Sequence, residues 1–349
     1  MRVAVNALYL LPGAVGGTEI YLRALIAALE EAGADPLVFT NRETGPLGRR
    51  TVVAPVSAQN RVARICFEQF RLPMLLKEAD ILLNPGFTAP VLTRLPQVTV
   101  FHDLQHKRHP EYFRWFDLPA WRFLLWASAR RSRRLIAVSE ATRIDLLRFY
   151  PFLRSDRIDV VPHGADQAFF DLRPRRAPGD FLLCPSTTHP HKNHPLLLRA
   201  FAALRREHPE LRLVMTGVRG FAQEAVEAEA RSLSLGGAVE LRGWLPREDI
   251  YELFRTARAL VYPSRFEGFG MPVAEALAAG LPVVCSDIEP LRSIAAGAAH
   301  LFQPDDENGL VHALRAALHA PPPEAPVGLT WRRSAELTLR SLEAALRSE

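Results

Sequence analysis

Short aliphatic and β-branched runs alternate with amphipathic stretches from one end of this chain to the other, and that alternation admits few folds. Strand-length runs stand at residues 2–6, 36–40, 81–84, 97–101, 134–138 and 158–161, then at 181–184, 211–216, 238–241, 259–262 and 282–286. Between them, segments such as 19–31 and 195–206 repeat apolar residues every three or four positions, the period of a helix with one buried face. A run that is apolar at successive positions is buried on both sides, which calls for parallel strands with helices on each face. The pattern predicts an α/β chain of two doubly wound, Rossmann-like domains facing a central cleft, and 349 residues suffice for two such cores. Residues 172–179 carry the proline, glycine and charge of an exposed linker, which sets the domain boundary near 165. After a proline-rich stretch at 320–326, residues 330–348 again show helical spacing.

The rest of the chain narrows the class by exclusion. No apolar run approaches the roughly 20 residues a spanning helix needs, and the first residues enter a strand pattern with no signal-peptide character. A cytoplasmic protein is expected, either free or held at the cytosolic face of a membrane. Cys66, Cys184 and Cys285 are odd in number and far apart, so they read as buried small hydrophobes and support neither disulfides nor zinc. The net charge of +5 suits nucleic acid, an anionic membrane or a phosphorylated small molecule equally well.

Position decides where charge cannot. The segment Tyr262-Pro263-Ser264-Arg265-Phe266-Glu267-Gly268-Phe269-Gly270-Met271-Pro272-Val273-Ala274-Glu275 joins a strand end to a helix start, the place where parallel sheets bind ligands. Pro272 suits the first position of a helix and Gly280 a left-handed cap at its end. The N–H groups of residues 270–273 are then offered to an anion such as a diphosphate, and Gly268 and Gly270 allow its close approach. Glu267 and Glu275 flank this turn, placed to accept hydrogen bonds from different hydroxyls of one ligand.

Glu267-x7-Glu275 around Gly-Phe-Gly-Met-Pro resembles the hallmark of the retaining, two-domain GT-B glycosyltransferases of family 4. The resemblance implies that Glu267 contacts the transferred sugar, that Glu275 binds the ribose, and that the backbone of Gly268, Phe269, Gly270 and Met271 meets the sugar and diphosphate. It makes the first domain, 1–165, the acceptor side and the second, 166–329, the nucleotide-sugar domain, with 330–349 a helix crossing back to the first. Lys192 and Asn193 in His189-Pro190-His191-Lys192-Asn193-His194 match the family's Lys-Asn turn, which implies that Lys192 reaches the donor diphosphate. The arginine that often precedes that lysine by five residues is Thr187 here, leaving Arg219 or a helix N-terminus as substitutes. The Gly13-Ala14-Val15-Gly16-Gly17-Thr18-Glu19 turn looks like the family's Gly-Gly-x-Glu loop, with Gly16 and Gly17 against the donor. His102, at the end of the run 97–101, matches a histidine that hydrogen-bonds the donor sugar. Gly217 matches a diphosphate loop, and Trp244 with Leu245 a base loop. Ser139-Glu140 and Pro162-His163-Gly164 also match the family and read as structural.

The activity implied is transfer of a hexosyl group from a nucleotide-diphosphate sugar to a glycan or lipid-linked oligosaccharide in surface-polysaccharide synthesis. GDP-mannose is the first choice of donor, then a UDP-hexose or a dTDP-deoxysugar. No metal is expected, since the histidines around Lys192 lack a carboxylate or cysteine companion, and no cofactor beyond the co-substrate. Two other classes stay open: a sugar-nucleotide epimerase on the same scaffold, and a basic nucleic-acid-binding protein, which no recognised nucleic-acid motif supports. Residues 105–134 are dense in arginine and aromatics, consistent with peripheral contact with an anionic membrane or with a helix that buries its rings in the first domain.

Overall fold

The computed structural model describes residues 1–13 and 16–347. They form two compact units, Met1–Gly164 with Thr330–Glu349, and Ala165–Leu329. Each unit is built on one parallel sheet.

The first sheet contains β1 (Val3–Asn6), β2 (Leu37–Thr40), β3 (Arg50–Val53), β4 (Ile81–Asn84), β5 (Gln97–Phe101), β6 (Arg134–Ala137) and β7 (Ile158–Val160), in the order β3-β2-β1-β4-β5-β6-β7. Winding reverses between β1 and β4, so the crevice at their carboxyl ends is this domain's natural ligand position. β3 escapes sequence reasoning because it is an edge strand with mostly exposed residues, and so lacks the apolar pattern of its neighbours.

The helix Trp331–Arg347 belongs to this unit, lying against the helix Gly17–Glu31 and near β4, β5 and β6. Its buried face, including Trp331, Ala335, Thr338, Leu342 and Ala345, repeats at helical spacing. Ser341 donates to Asp159 at 2.6 Å, and the Arg133 guanidinium donates to the Ala345 carbonyl at 3.2 Å. A Cβ at Gly164 would lie 2.1 Å from the Trp331 nitrogen, so the Pro-x-Gly turn owes its glycine to the entry of this helix. Ser139 caps the helix Glu140–Phe149 by accepting from the Thr142 N–H at 3.1 Å.

The second sheet contains β8 (Phe181–Pro185), β9 (Arg212–Thr216), β10 (Val239–Leu241), β11 (Ala259–Tyr262), β12 (Val283–Ser286) and β13 (His300–Phe302), in the order β10-β9-β8-β11-β12-β13. Successive strand residues enter opposite cores. Leu182, Cys184, Leu213, Met215, Val261 and Val284 meet the helices His194–Arg205 and Glu307–Leu318 on one face. Leu183, Val214, Leu260, Tyr262, Val283 and Cys285 meet Phe169, Phe254 and Leu277 on the other. This double burial is the origin of the continuous apolar runs. Winding reverses between β8 and β11.

Two expectations are corrected here. Cys66 is exposed, at the end of the short helix Arg61–Cys66 whose buried residue is Arg64, whereas Cys184 and Cys285 are buried as read. Residues 172–179 are exposed at Pro174, Arg175, Ala177 and Pro178, as read, but the stretch is not a free linker. They follow a helix, Gln167–Leu172, and are pinned to the second domain by their own charges. Arg173 donates to the carbonyls of Leu277 at 2.8 Å and Pro323 at 2.5 Å, and Arg176 to those of Phe254 and Ala257. Arg173 thereby caps the carbonyl end of the helix Met271–Ala279, where a cation is favoured. Proline and charge predicted solvent; the arginines instead satisfy main-chain acceptors that would otherwise be orphaned.

Candidate active site

The loops leaving β8 and β11 meet at the second sheet's switch point. Pro190–Lys192 forms a turn of 3-10 helix, and Asn193 follows in the left-handed region at φ 55°. The Asn193 side chain is buried and donates to the Pro304 carbonyl at 3.1 Å, so it holds the turn rather than reaching outward. The two loops are stitched by the Arg265 N–H, which donates to the His191 carbonyl at 2.8 Å. This brings the Lys192 ammonium to 2.6 Å from Glu267 Oε1 and 2.8 Å from the Tyr262 hydroxyl, with its nitrogen 5.0 Å from the centre of the Tyr262 ring. An ammonium has three N–H donors. Two are used here, which leaves one for a ligand on a lysine that has lost most of its freedom. Burial, then the Glu267 charge, raises the Tyr262 phenol well above its ordinary range, so it stays neutral and accepts from Lys192.

Gly270 carries the turn into the helix Met271–Ala279, at φ 105°, and a Cβ there would fall 2.3 Å from Leu291 Cδ2. Glycine is required on both counts. Fewer N–H groups of this turn are available than expected: the Val273 N–H already donates to the Gly270 carbonyl at 3.0 Å and Pro272 has none, which leaves those of Gly270 and Met271. Phe269 is buried, so its contribution to any ligand is main-chain. Gly268 lies in the loop between Glu267 and this turn. Gly217 is tied into the fold through its main chain. Its N–H donates to the Gly243 carbonyl at 2.7 Å, and a Cβ would lie 2.6 Å from the Ser186 carbonyl carbon; it joins two loops closely and offers no N–H to a phosphate. Trp244 stands 61% exposed on the loop after β10, and Leu245, the next residue, is half-buried against the core. Arg219 lies 3.9 Å from Glu224 and remains mostly exposed.

Glu275 is the second carboxylate of the motif, and its partners were not legible in sequence. It is buried on the helix Met271–Ala279, and its Oε1 accepts from Arg247 at 2.6 Å. Arg247 also donates to Asp166 Oδ2 from Nε at 2.9 Å and Nη2 at 2.7 Å, and the Tyr251 hydroxyl donates to the same oxygen at 2.8 Å. Phe169 and Tyr251 lie against the guanidinium at 4.8 and 5.3 Å. Burial works to lower the Arg247 pKa, but Glu275 and Asp166 outweigh it and hold the guanidinium charged. Burial lifts the Glu275 carboxyl above its usual range, and Arg247 opposes the lift. Arg247 engages one oxygen of Glu275 and so orients the carboxylate. Glu267 and Glu275 thus have separate cations, Lys192 and Arg247.

In the first domain, His102 follows β5. Its Nε2 lies 2.8 Å from the Pro85 carbonyl, which can only accept, so Nε2 carries the proton and Nδ1 the lone pair. Burial lowers its pKa to about 4. It is a neutral acceptor, wedged edge-on against Tyr21 with ring centres 4.8 Å apart. Gly16, at φ 56°, caps the helix that begins at Gly17, and Glu19 Oε2 accepts from the Gly13 N–H at 2.8 Å across the turn. Ala14 and Val15 of this predicted platform lie outside the described residues. Along 105–134, Trp115, Phe116, Phe123 and Trp126 are exposed, whereas Tyr112, Phe113 and Trp121 are half-buried and Trp121 packs against the core of the first domain, so each of the two readings holds for part of the set. No helix of the described residues is long and apolar enough to cross a membrane.

Two doubly wound parallel sheets, the second presenting a lysine, two cation-held glutamates and a glycine turn at its switch point, define the GT-B class of glycosyltransferase fold. Two family models match in tandem, Glycosyltransferase Family 4 over residues 15–169 and Glycosyl transferases group 1 over residues 172–328. The chain belongs to glycosyltransferase family 4. It is 29% identical to the O-antigen chain mannosyltransferase B of Escherichia coli, over 67% of this chain and 64% of that protein. It is 30% identical to the MMP alpha-(1->4)-mannosyltransferase of Mycolicibacterium hassiacum, over 68% of this chain and 60% of that protein. The chain therefore spans somewhat under two thirds of the length of these relatives. Its fold matches Anabaena Alr3699/HepE in complex with UDP and glucose with a TM-score of 0.68 at 18% identity, covering 99% of this chain and 94% of that one.

Proposed function

We propose that this chain transfers a hexosyl group, mannosyl by preference, from a nucleotide-diphosphate sugar to a glycan or lipid-linked acceptor in polysaccharide synthesis, with retention and without a metal. The observation that carries the reading is the Lys192–Glu267 contact at the switch point, a cation with one N–H to give beside a carboxylate with an oxygen to receive. In this reading Lys192, together with the N–H groups of Gly270 and Met271, stabilises charge growing on the departing diphosphate. Glu267 accepts from hydroxyls of the sugar, and Glu275, oriented by Arg247, accepts from the ribose. Trp244 and Leu245 flank the base, and the neutral His102 and the Gly16–Gly17 turn are the first domain's contribution.

The bond from the anomeric carbon to the diphosphate breaks while one to the acceptor oxygen forms on the same face, and the departing phosphate takes the acceptor proton. Glu267 is held by Lys192 and Glu275 by Arg247, which favours this course over attack by an enzyme carboxylate. The two mannosyltransferase relatives support mannose, from GDP as first choice. The UDP and glucose of HepE support a UDP-hexose as the second reading. The exposed rings and arginines of residues 105–134 favour peripheral contact with an anionic membrane as part of the same reading.

Thermal stabilisation by a panel of nucleoside diphosphates and sugar nucleotides, in EDTA, tests the proposal. One base is expected to raise the melting temperature of the wild type and to lose most of that effect in Lys192→Ala and Glu275→Gln. No response to any diphosphate at millimolar concentration, from folded protein, would overturn it.

A further inference from the structure

A cavity of about 450 Å³ lies within the first domain, where the segments following β1 and β4 come together at that sheet's switch point. Ligand cavities usually measure roughly 300–1,000 Å³, so this one has room for a sugar with a substituent. Its wall is built under constraint. Gly86 lies so close to Tyr9 that a Cβ would stand 2.2 Å from the tyrosine ring. Phe87 is held at φ 69°, a left-handed conformation that a bulky side chain rarely adopts. Three rings keep it there: His102, Phe101 and Trp121, with centres 5.1, 6.2 and 6.4 Å from its own. The strain sets an aromatic face between His102 and Trp121.

The charges lining this cavity are unequal. Arg64 is buried and neutralised by Glu68 at 3.2 Å. Arg61 lies 4.8 Å over the Trp121 ring, and neither it nor Arg114 is in an ion pair among the described residues. Some arginines of this domain meet carboxylates or carbonyls, as Arg134 meets Asp159 and Arg131 meets Val91 and Thr93; what sets Arg61 and Arg114 apart from the others is that they line the cavity beside Trp121 and Phe87. Against the two unpaired guanidiniums the lining sets one further carboxylate, Asp117. Guanidinium groups bind phosphate and carboxylate through paired N–H donors, and an aromatic face beside them receives the apolar side of a sugar ring.

We propose that this cavity seats the acceptor, and that the acceptor is an anionic sugar, its ring on Trp121 and Phe87 and its phosphate or carboxylate on Arg61 and Arg114. The word acceptor rests on the glycosyl-transfer reading above; the preference for an anionic sugar does not.

The test titrates the full chain carrying Lys192→Ala, which disables the diphosphate turn, with mannose 1-phosphate, glucuronate and neutral mannose, followed by calorimetry and tryptophan fluorescence. At least one anionic sugar is expected to bind about tenfold or more tighter than mannose. That preference is lost in Arg61→Gln/Arg114→Gln, two exposed positions, and the fluorescence response is lost in Trp121→Phe. Preference for the phosphate assigns a phosphate-linked acceptor, and preference for glucuronate a uronic one. Equal binding of all three sugars, no binding at millimolar concentration, or an anion preference unchanged in the double variant would overturn the proposal. Nucleotide stabilisation of the wild type reports on the diphosphate turn alone, so either reading can fail without the other.

Discussion

Lys192 Nζ lies 2.6 Å from Glu267 Oε1, although the two residues are 75 positions apart and leave different strands. Both side chains are largely withdrawn from solvent, at 14% and 10% exposure. Removing one therefore strands the other in a poorly solvated place. Lys192→Met or Glu267→Gln should each cost about 1–3 kcal/mol, and the double variant less than their sum. Urea unfolding of the four proteins measures the coupling; strictly additive costs would show that the contact contributes nothing to the fold.

Arg247→Ala should be the more damaging change in the second domain, at about 3–5 kcal/mol, because it leaves the buried Glu275 and Asp166 without their shared cation. The loss should depend on pH. Glu275 is already raised by burial, and Arg247 is the main influence opposing that rise. Without Arg247 the folded-state pKa climbs further above the unfolded value, so the folded state holds a proton more tightly than the unfolded one. Stability then falls as pH rises through that window. The variant's deficit should be smaller near about pH 5 than near about pH 8 in equilibrium unfolding. A deficit independent of pH would refute this coupling.

Acid should destabilise the chain through its buried histidines. His102, His106 and His194 are each lowered to about 4 by burial, and His163 well below its ordinary value for the same reason. These groups protonate in the unfolded chain near their usual 6.5 but not in the fold, so their contribution is complete above that pH and is lost as pH falls toward 4. Each can steepen the loss by up to about 1.4 kcal/mol per pH unit. His194→Gln, which retains a polar partner for Ser186, should flatten the slope of unfolding free energy against pH in that window. An unchanged slope would mean that His194 titrates normally.

Gly270 and Gly16 offer a contrast between space and torsion. Both have positive φ, but a Cβ at Gly270 meets Leu291 at 2.3 Å whereas one at Gly16 meets nothing within 4 Å. Gly270→Ala should cost about 2–4 kcal/mol and displace the turn that enters the helix Met271–Ala279, and Gly16→Ala only about 1–2. Thermal melts of the two variants, with nucleotide stabilisation of Gly270→Ala, decide it.

Local information made much of the molecule legible. Continuous apolar runs identified parallel, doubly covered strands because burial on both faces leaves no polar alternate positions, as in Phe181-Leu182-Leu183-Cys184. The turn from Glu267 through Gly270 to Glu275 was readable because a strand end, a left-handed glycine and a helix start are all fixed within a few residues. β3 and β13 were not readable, the first because its residues are exposed and the second because it opens on His300 and is only half-buried over most of its length, so it is no aliphatic run.

What sequence could not supply is which distant groups share a charge. Arg247 and Asp166 stand 81 positions apart, and nothing around either marks it as a partner of Glu275. Arg173 and Arg176 had the composition of a loose linker until the fold laid carbonyl oxygens within their reach. Periodicity and turn chemistry act over neighbouring residues, so the chain alone determined the buried strands, the long amphipathic helices and the glutamate motif. Hydrogen bonds and ion pairs act through space over a few ångströms, so only the wound sheets decided which cation holds each glutamate and which N–H groups remain for a ligand.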